Sequence, residues 1–246
     1  MAAADGVPAG RTVVLVHGAW HSPWSWHRVV EELDGDGIPS TTVDLPSCRS
    51  GPDGAPLGDL HADAAEIRRT LDAYRDVVLV AHSYGGIPAT EAAAGHPAVR
   101  HLVYVCAYMA DEGETLVGYA VPDPGPDILD PPADLEFGED GTVTVKPERA
   151  ATLFCADLDP AAAAEAVRHL RPMSATVLRQ SPNAVAWRTI PSTYVLTGRD
   201  NATPTPVQRE LSVRAGQVHE LPDSSHSPFL SHPKTVAEII AIAAGY

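Results

Sequence analysis

Ser83 lies in a segment whose residue types could support nucleophilic catalysis. Residues 80–87 read VAHSYGGI and stand between an apolar run, VVLV at residues 77–80, and an alanine-rich run at residues 88–94. These runs predict a buried strand followed by a helix. A serine at such a turn, with small residues two positions before and after it, is typical of a nucleophile elbow. Ala81 stands at the first of these positions in place of the usual glycine, and Gly85 at the second.

A serine hydroxyl is not ionised at neutral pH, so it needs a base and a group that orients the base. Chains with such an elbow supply an acid and then a histidine later in the sequence. Asp200 follows a predicted strand at residues 194–197, and His226 follows another at residues 217–221. Asp111, after a predicted strand at residues 101–106, is the rival acid. The chain order favours Asp200, with Asp111 capping the entry to the segment that follows it.

Acyl transfer also requires two backbone N–H groups that face the oxygen on which negative charge develops. The residue after the nucleophile, Tyr84, is expected to supply one of them. The sequence HGAW at residues 17–20 follows the first predicted strand, and we assign the second donor to Ala19. We interpret His17 and His82 as structural residues rather than as second bases.

Predicted strands alternate with helices along most of the chain. This pattern predicts an α/β fold with a mostly parallel sheet and helices on both faces. The exception is a Pro- and Asp-rich segment with a predicted hairpin at residues 135–145 and a helix at residues 159–170. We expect a core formed by residues 1–110 and 188–246, with residues 111–187 inserted as a cap over the site.

Composition limits the choice of partners. The chain has 246 residues, a formal net charge of −15 and three cysteines without metal-like spacing. Such acidity disfavours nucleic acids and anionic membranes as partners, and no apolar run is long enough to span a bilayer. Residues 1–10 lack the features of a signal peptide. We expect a cytoplasmic monomer or homodimer that uses neither a metal nor an organic cofactor.

The substrate pocket is expected to be largely apolar because the cap supplies much of it. Aromatic walls would suit an aryl or medium-length acyl group. The candidate lining residues are Trp20, Tyr108, Leu116, Tyr119, Phe154, Trp187 and Phe229, with Phe137 and Met173 as further candidates.

Taken together, these motifs resemble the α/β-hydrolase superfamily over nearly the whole chain, and within it the methylesterase and hydroxynitrile lyase group. That group includes the salicylate-binding methylesterases of plants and bacterial esterase homologues. The shared motifs are HGAW at residues 17–20 with WSW at 24–26, DLP at 44–46, HSYGG at 82–86, Phe154 with DLD at 157–159, and SHSPF at 225–229.

The resemblance implies ester or lactone hydrolysis through a Ser83 acyl-enzyme. The lyases of this group carry a threonine in the oxyanion loop and a lysine after the catalytic histidine, where this chain has Gly18 and Ser227. Two alternatives stay open. The first is a lyase or cyclase that uses His226 as a general base without an acyl-enzyme, and the second is a non-catalytic protein of this fold that binds a ligand.

Overall fold

The computed structural model describes residues 11–51, 54–56, 58–122 and 124–246. Residues 1–10, where no signal peptide is expected, lie outside this range. The strands are β1 (Thr12–Val16), β2 (Ser40–Val43), β3 (Val77–His82), β4 (Val99–Val105), β5 (Leu135–Phe137), β6 (Thr142–Val145), β7 (Met173–Ser174), β8 (Ser192–Thr197) and β9 (Gln217–Leu221). The helices are α1 (His27–Gly35), α2 (Leu60–Leu71), α3 (Gly86–Ala93), α4 (Pro131–Asp134), α5 (Pro147–Phe154), α6 (Pro160–Arg168), α7 (Thr205–Ser212), α8 (Pro228–Ser231) and α9 (Pro233–Ala244). Among the described residues, no helix combines the length and apolarity needed to cross a bilayer.

The main sheet has six strands in the order β2-β1-β3-β4-β8-β9, and every neighbouring pair is parallel. This confirms the predicted α/β class. All six residues of β3 are buried, as its unbroken apolar sequence predicts for a central strand. The connections β1-α1-β2 and β2-α2-β3 run in opposite directions across the sheet, and the right-handed rule for such connections then predicts α1 and α2 on opposite faces. In agreement, α1 packs against α9 and α2 packs against α3.

The strand order reverses between β1 and β3. The chain moves from β1 outward to β2, then returns past β1 to β3 and continues to β4, β8 and β9. Val16 at the end of β1 pairs with Ala81 near the end of β3. The loop after β1 and the turn after β3 consequently lie side by side, at the switch point where open parallel sheets bind ligands.

Between β4 and β8 the chain leaves the main sheet and forms a second, three-stranded antiparallel sheet in the order β5-β6-β7. The predicted hairpin is present, with Leu135 opposite Val145 and a left-handed Gly141 (φ 80°) in its turn. The predicted helix is also present as α6, where the Asp159 carboxylate accepts hydrogen bonds from the backbone N–H groups of Ala161 and Ala162. Helix α5 was not predicted. The cap boundaries at residues 111 and 187 stay a prediction.

Candidate active site

Ser83 occupies a strained turn between β3 and the helix that follows it. Its φ is 51°, a left-handed value that is unfavourable for a residue with a side chain. The turn holds because Tyr108 N–H donates to the Ser83 carbonyl at 3.1 Å and because Gly85 and Gly86 carry no side chain. A Cβ at Gly85 would lie 2.4 Å from the His17 carbonyl oxygen, and one at Gly86 would lie 2.5 Å from that of Tyr108. Both glycines are therefore required by space.

His226 and Asp200 are in direct contact. Nδ1 of His226 lies 2.8 Å from Oδ2 and 3.0 Å from Oδ1 of Asp200, and both side chains are buried. A carboxylate can only accept, so Nδ1 carries the proton and Nε2 presents its lone pair. His226 and Ser83 line the same pocket.

The Asp200 carboxylate is held by four further donors. Oδ1 accepts from the N–H groups of Ala202 and Thr203, and Oδ2 accepts from the Thr197 hydroxyl and the Gln208 side-chain amide, all within 3.0 Å. Gln208 lies on α7, a helix that was not predicted from the sequence, and its contact with Asp200 was missed for that reason. These bonds fix the carboxylate in place and stabilise its negative charge in a buried position.

Asp111 is separate from this pair. Its carboxylate forms an ion pair with Arg188 and accepts from the backbone N–H of Glu112. Asp111 thus has its own partners at the start of the inserted segment, and Asp200 is the carboxylate that contacts His226.

The proposed oxyanion donors come from the two adjacent loops at the switch point. Ala19 and Tyr84 both line the pocket beside Ser83. Among the described residues, no acceptor lies within hydrogen-bond range of the Ala19 N–H. Tyr84 is the second residue of the 3₁₀ turn Ser83–Gly85, so its N–H is one of the donors that have no partner within the turn.

Three other histidines surround the site, and their hydrogen bonds fix their tautomers. In His17, Nδ1 donates to the Gly18 carbonyl and Nε2 accepts from the Leu45 N–H, so this ring is neutral and structural as expected. In His82, Nε2 donates to the His226 carbonyl at 3.0 Å. In His21, which the sequence analysis did not single out, Nδ1 donates to the Ala19 carbonyl at 2.6 Å. Burial lowers the pKa of all three rings, that of His21 to about 3.

Beneath the serine turn lies a buried carboxylate that was also missed. Asp63 on α2 accepts from the Tyr84 hydroxyl at 2.7 Å, the Ser47 hydroxyl at 2.6 Å and the Ser47 N–H at 2.8 Å. Burial raises its pKa to about 6, although these hydrogen bonds act in the opposite direction. The three residues connect the elbow to the loop after β2.

His82, Cys106 and His226 form the one cluster of possible metal ligands found among the described residues, with ligand atoms within 4.8 Å of one another. Nδ1 of His226 donates to Asp200 and Nε2 of His82 donates to a carbonyl, which leaves one nitrogen lone pair on each ring, so the third residue, Cys106, decides whether the set suits a metal. Burial raises the pKa of the Cys106 thiol well above its usual value, which disfavours the thiolate that a metal needs. The donor set therefore suits packing beneath the site better than metal binding.

The pocket lies between the main sheet and the inserted segment. Five of the seven predicted aromatic and aliphatic residues line it: Trp20, Tyr108, Leu116, Tyr119 and Phe154. Other apolar residues complete the wall, namely Val117, Ala120, Val121, Leu129, Pro131, Leu135, Leu178, Ala202 and Pro204. No Asp, Glu, Lys or Arg is found among the described residues that line it.

Two predicted lining residues lie elsewhere. The Trp187 indole N–H donates to the Ala110 carbonyl at 3.0 Å, and its ring packs against the guanidinium groups of Arg188 and Arg214, so it stays outside the pocket. Phe229 is fully buried below the site, with its ring 5.1 Å from Trp26 and 4.8 Å from His82. Neither residue is available to a substrate in this pocket.

The two further candidates are also absent from the lining of the pocket. Phe137 lies on the cap hairpin and is 62 % exposed to solvent. Met173, on β7, is fully buried. Hydrophobic type alone did not indicate which way these side chains face.

Comparison with known proteins finds relatives over most of the chain. The family model described as "Alpha/beta hydrolase family" matches residues 13–239. The alpha/beta hydrolase nvfD of Aspergillus novofumigatus is 29% identical over 250 residues, covering 95% of this chain and 96% of its own length. Methylesterase 7 of Arabidopsis thaliana is 29% identical over 263 residues, with 92% and 94% covered. The crystal structure of the Arabidopsis methylesterase MES16 superposes with a TM-score of 0.74 at 26% identity, covering 96% of this chain and 99% of that one. On this match over most of its length, the chain belongs to the alpha/beta hydrolase family.

Proposed function

We propose that this protein is a serine esterase that hydrolyses small, neutral, hydrophobic carboxylic esters, aryl and methyl esters among them, or lactones. The observation that carries the proposal is the pairing of two features in one apolar pocket. Ser83 sits on the strained turn, and His226 has its Nδ1–H committed to Asp200 so that Nε2 can accept a proton. The methylesterase relatives support ester hydrolysis as the reaction class.

In the first half-reaction, Ser83 Oγ attacks the ester carbonyl while His226 Nε2 takes the hydroxyl proton. Asp200 keeps the imidazole in the required tautomer and stabilises the imidazolium that forms. The carbonyl oxygen becomes negative and accepts hydrogen bonds from the N–H groups of Ala19 and Tyr84. When the tetrahedral intermediate collapses, the C–O bond to the alcohol breaks, and the alcohol leaves with the proton from Nε2.

In the second half-reaction, water attacks the acyl group on Ser83 and gives a proton to His226 Nε2. The second tetrahedral intermediate uses the same two N–H groups. Its collapse releases the carboxylic acid and returns the proton to Ser83 Oγ. The cycle needs no further reactant.

The absence of ionic side chains from the described lining supports a neutral substrate, because a charged group would be desolvated there without a partner. Tyr108 and Phe154 are well placed to contact the acyl or alcohol group, since both line the pocket with His226.

The test is hydrolysis of p-nitrophenyl esters from acetate to octanoate by the wild type and by Ser83→Ala. The matched control is Ser212→Ala, whose hydroxyl bonds within its own helix at the Arg209 carbonyl. We expect activity in the wild type and the control, and its loss in Ser83→Ala. Full activity in Ser83→Ala would instead indicate base catalysis by His226 without an acyl-enzyme. A folded wild type that neither turns over esters nor reacts with an organophosphonate probe would indicate a binding protein.

A further inference from the structure

The loop after β1, residues 17–21, contains a backbone conformation that its own sequence disfavours. Trp20 has a φ of 61°, in the left-handed region that a bulky side chain rarely adopts. Such a conformation persists only where surrounding contacts hold it. The Ala19 N–H belongs to the Gly18–Ala19 peptide group, whose carbonyl accepts from the His21 N–H at 3.3 Å, so the contacts that hold Trp20 and His21 also help to set the direction of the Ala19 N–H.

Those contacts come from the inserted segment. The Trp20 indole N–H donates to the Val143 carbonyl on β6 at 3.0 Å, and the Trp20 carbonyl accepts from the backbone N–H of Arg171 at 2.7 Å. The Arg171 guanidinium donates to the next carbonyl along the loop, that of His21, through Nη2 at 3.2 Å and Nε at 3.3 Å. Arg171 thus contacts two consecutive peptide groups of the loop.

The same guanidinium reaches a second part of the core. Its Nη2 donates to Oδ1 of Asp44 at 2.6 Å, just after β2. Burial would raise the pKa of Asp44, but the hydrogen bond from Arg171 and its positive charge act against burial, and the pKa of Asp44 is lowered, so Asp44 remains anionic. The planar guanidinium is suited to bridging two acceptors in one fixed geometry, which a lysine ammonium is not.

From this arrangement we infer that Arg171 is a positioning residue for catalysis, which holds the Trp20–His21 backbone so that the Ala19 N–H faces the oxyanion. The inference rests on the proposed function, in which Ala19 is an oxyanion donor. Arg171 does not line the pocket that contains Ser83, so it acts through the loop and not on the substrate. The Arg171 side chain, together with the Val143 carbonyl and the Arg171 backbone N–H, then couples seating of the inserted segment to formation of the oxyanion site.

A purely structural role for Arg171, fastening the inserted segment to the core, makes a different prediction. Loosening of the pocket wall would weaken substrate binding and raise KM. Misdirection of an oxyanion donor removes an interaction made mainly in the transition state, and it lowers kcat with little change in KM.

The experiment compares Arg171→Gln and Arg171→Lys with the wild type, using p-nitrophenyl butyrate. The control is Arg168→Gln, which removes an exposed arginine three residues earlier whose ion-pair partner, Glu165, lies in its own helix. We expect kcat to fall about tenfold or more in Arg171→Gln with KM within about threefold of the wild type. Lysine can donate to one acceptor and should restore part of kcat.

Hydrogen exchange followed by mass spectrometry supplies a readout that does not depend on activity. In the absence of any ligand, peptides that cover residues 17–21 should exchange faster in Arg171→Gln than in the wild type and in Arg168→Gln. If Arg171→Gln does not fold, Arg171→Lys is compared in the same two assays.

The outcomes separate the two proposals. Unchanged exchange at residues 17–21, or a rise in KM without a fall in kcat, overturns the positioning role. An inert wild type whose loop exchanges faster after substitution at Arg171 refutes the esterase proposal but supports the control of the loop by Arg171. Loss of kcat together with faster exchange supports both.

Discussion

The Tyr84 hydroxyl donates a 2.7 Å hydrogen bond to Oδ2 of Asp63 and ties the residue after Ser83 to helix α2. Tyr84 is also a proposed oxyanion donor, so its backbone N–H must keep a fixed direction. The hydrogen bond to Asp63 anchors the side chain of this residue. Ser47 supplies the other two hydrogen bonds to this carboxylate. The elbow is thus supported from below by a buried polar cluster.

Removing the hydroxyl in Tyr84→Phe leaves a buried carboxylate with one donor fewer. We expect the free energy of unfolding to fall by about 1–3 kcal/mol. Urea denaturation measures this change, with Tyr246→Phe as the control because Tyr246 is exposed. Equal stabilities of the two variants would show that the hydrogen bond to Asp63 contributes nothing.

Asp63 should also give a defined pH dependence of stability. Burial raises its pKa to about 6 in the folded protein, from an ordinary value of 3.8. The folded state then holds this proton more tightly than the unfolded state does, so the contribution of Asp63 to stability is lost as the pH rises from about 4 through about 6. Between about pH 4 and pH 7, the free energy of unfolding of the wild type should therefore fall relative to that of Asp63→Asn. Urea denaturation across this range measures the difference. A constant difference would contradict the raised pKa.

Burial lowers the pKa of His21 to about 3, and the sign of the stability effect is the opposite. In the unfolded chain the His21 ring binds a proton below about pH 6.5, whereas in the folded protein it does so only near pH 3. The free energy of unfolding therefore decreases as the pH falls. The loss between pH 7 and 5 is about 2 kcal/mol for this one residue. Over the same interval, the free energy of unfolding of His21→Asn should fall by about 2 kcal/mol less than that of the wild type. The control is His219→Asn, on the edge strand β9. Parallel pH curves for His21→Asn and the wild type would refute the assignment.

In Asp200→Asn, the amide can donate to Nδ1 of His226 and so favour the tautomer that protonates Nε2. We expect kcat for p-nitrophenyl butyrate to fall by about 10³–10⁴. The thermal midpoint of unfolding is measured alongside, because the new amide NH2 also faces donors that hold the Asp200 carboxylate. Asp111→Asn is the matched variant, because Asp111 pairs with Arg188 and does not contact His226. A larger loss in Asp111→Asn than in Asp200→Asn would reverse the assignment of the acid.

The described lining of the pocket has no ionic side chain, and this predicts discrimination by charge. The p-nitrophenyl monoester of succinic acid differs from p-nitrophenyl butyrate mainly by a carboxylate at the end of the acyl chain. Burying this charge without a partner should lower kcat/KM by at least about 30-fold relative to the butyrate. Similar values for the two esters would indicate that the acyl chain stays in solvent.

Ser83, Asp200 and His226 could be proposed from the sequence because each follows a predicted strand, although the strand before His226 is short and largely exposed. The buried run before Ser83 and the small residues around it are contiguous in sequence, and Asp200 and His226 directly follow the predicted strands that became β8 and β9. Parallel pairing then brings the ends of these strands to one edge of the sheet. Local sequence patterns were therefore sufficient to place these three residues at the ends of strands.

The supporting contacts could not be predicted in the same way. Arg171 and Asp44 are 127 positions apart, and Asp63 and Tyr84 meet only when α2 packs beneath the elbow. Trp187 and Phe229 were assigned to the pocket by residue type, but hydrogen bonding of the indole and burial of the phenyl ring direct them elsewhere. Side-chain direction and pairing over long sequence separations depend on the assembled fold.

The order of the strands separates the two halves of the site along the chain. Ala19 and Ser83 follow β1 and β3, whereas Asp200 and His226 follow β8 and β9, at the far end of both the sheet and the sequence. During synthesis the proposed nucleophile and oxyanion loop emerge first, and the proposed acid and base follow only with the last two strands of the sheet. A partly synthesised chain therefore holds an incomplete site, and recovery of turnover in a refolding experiment reports the closure of the whole sheet.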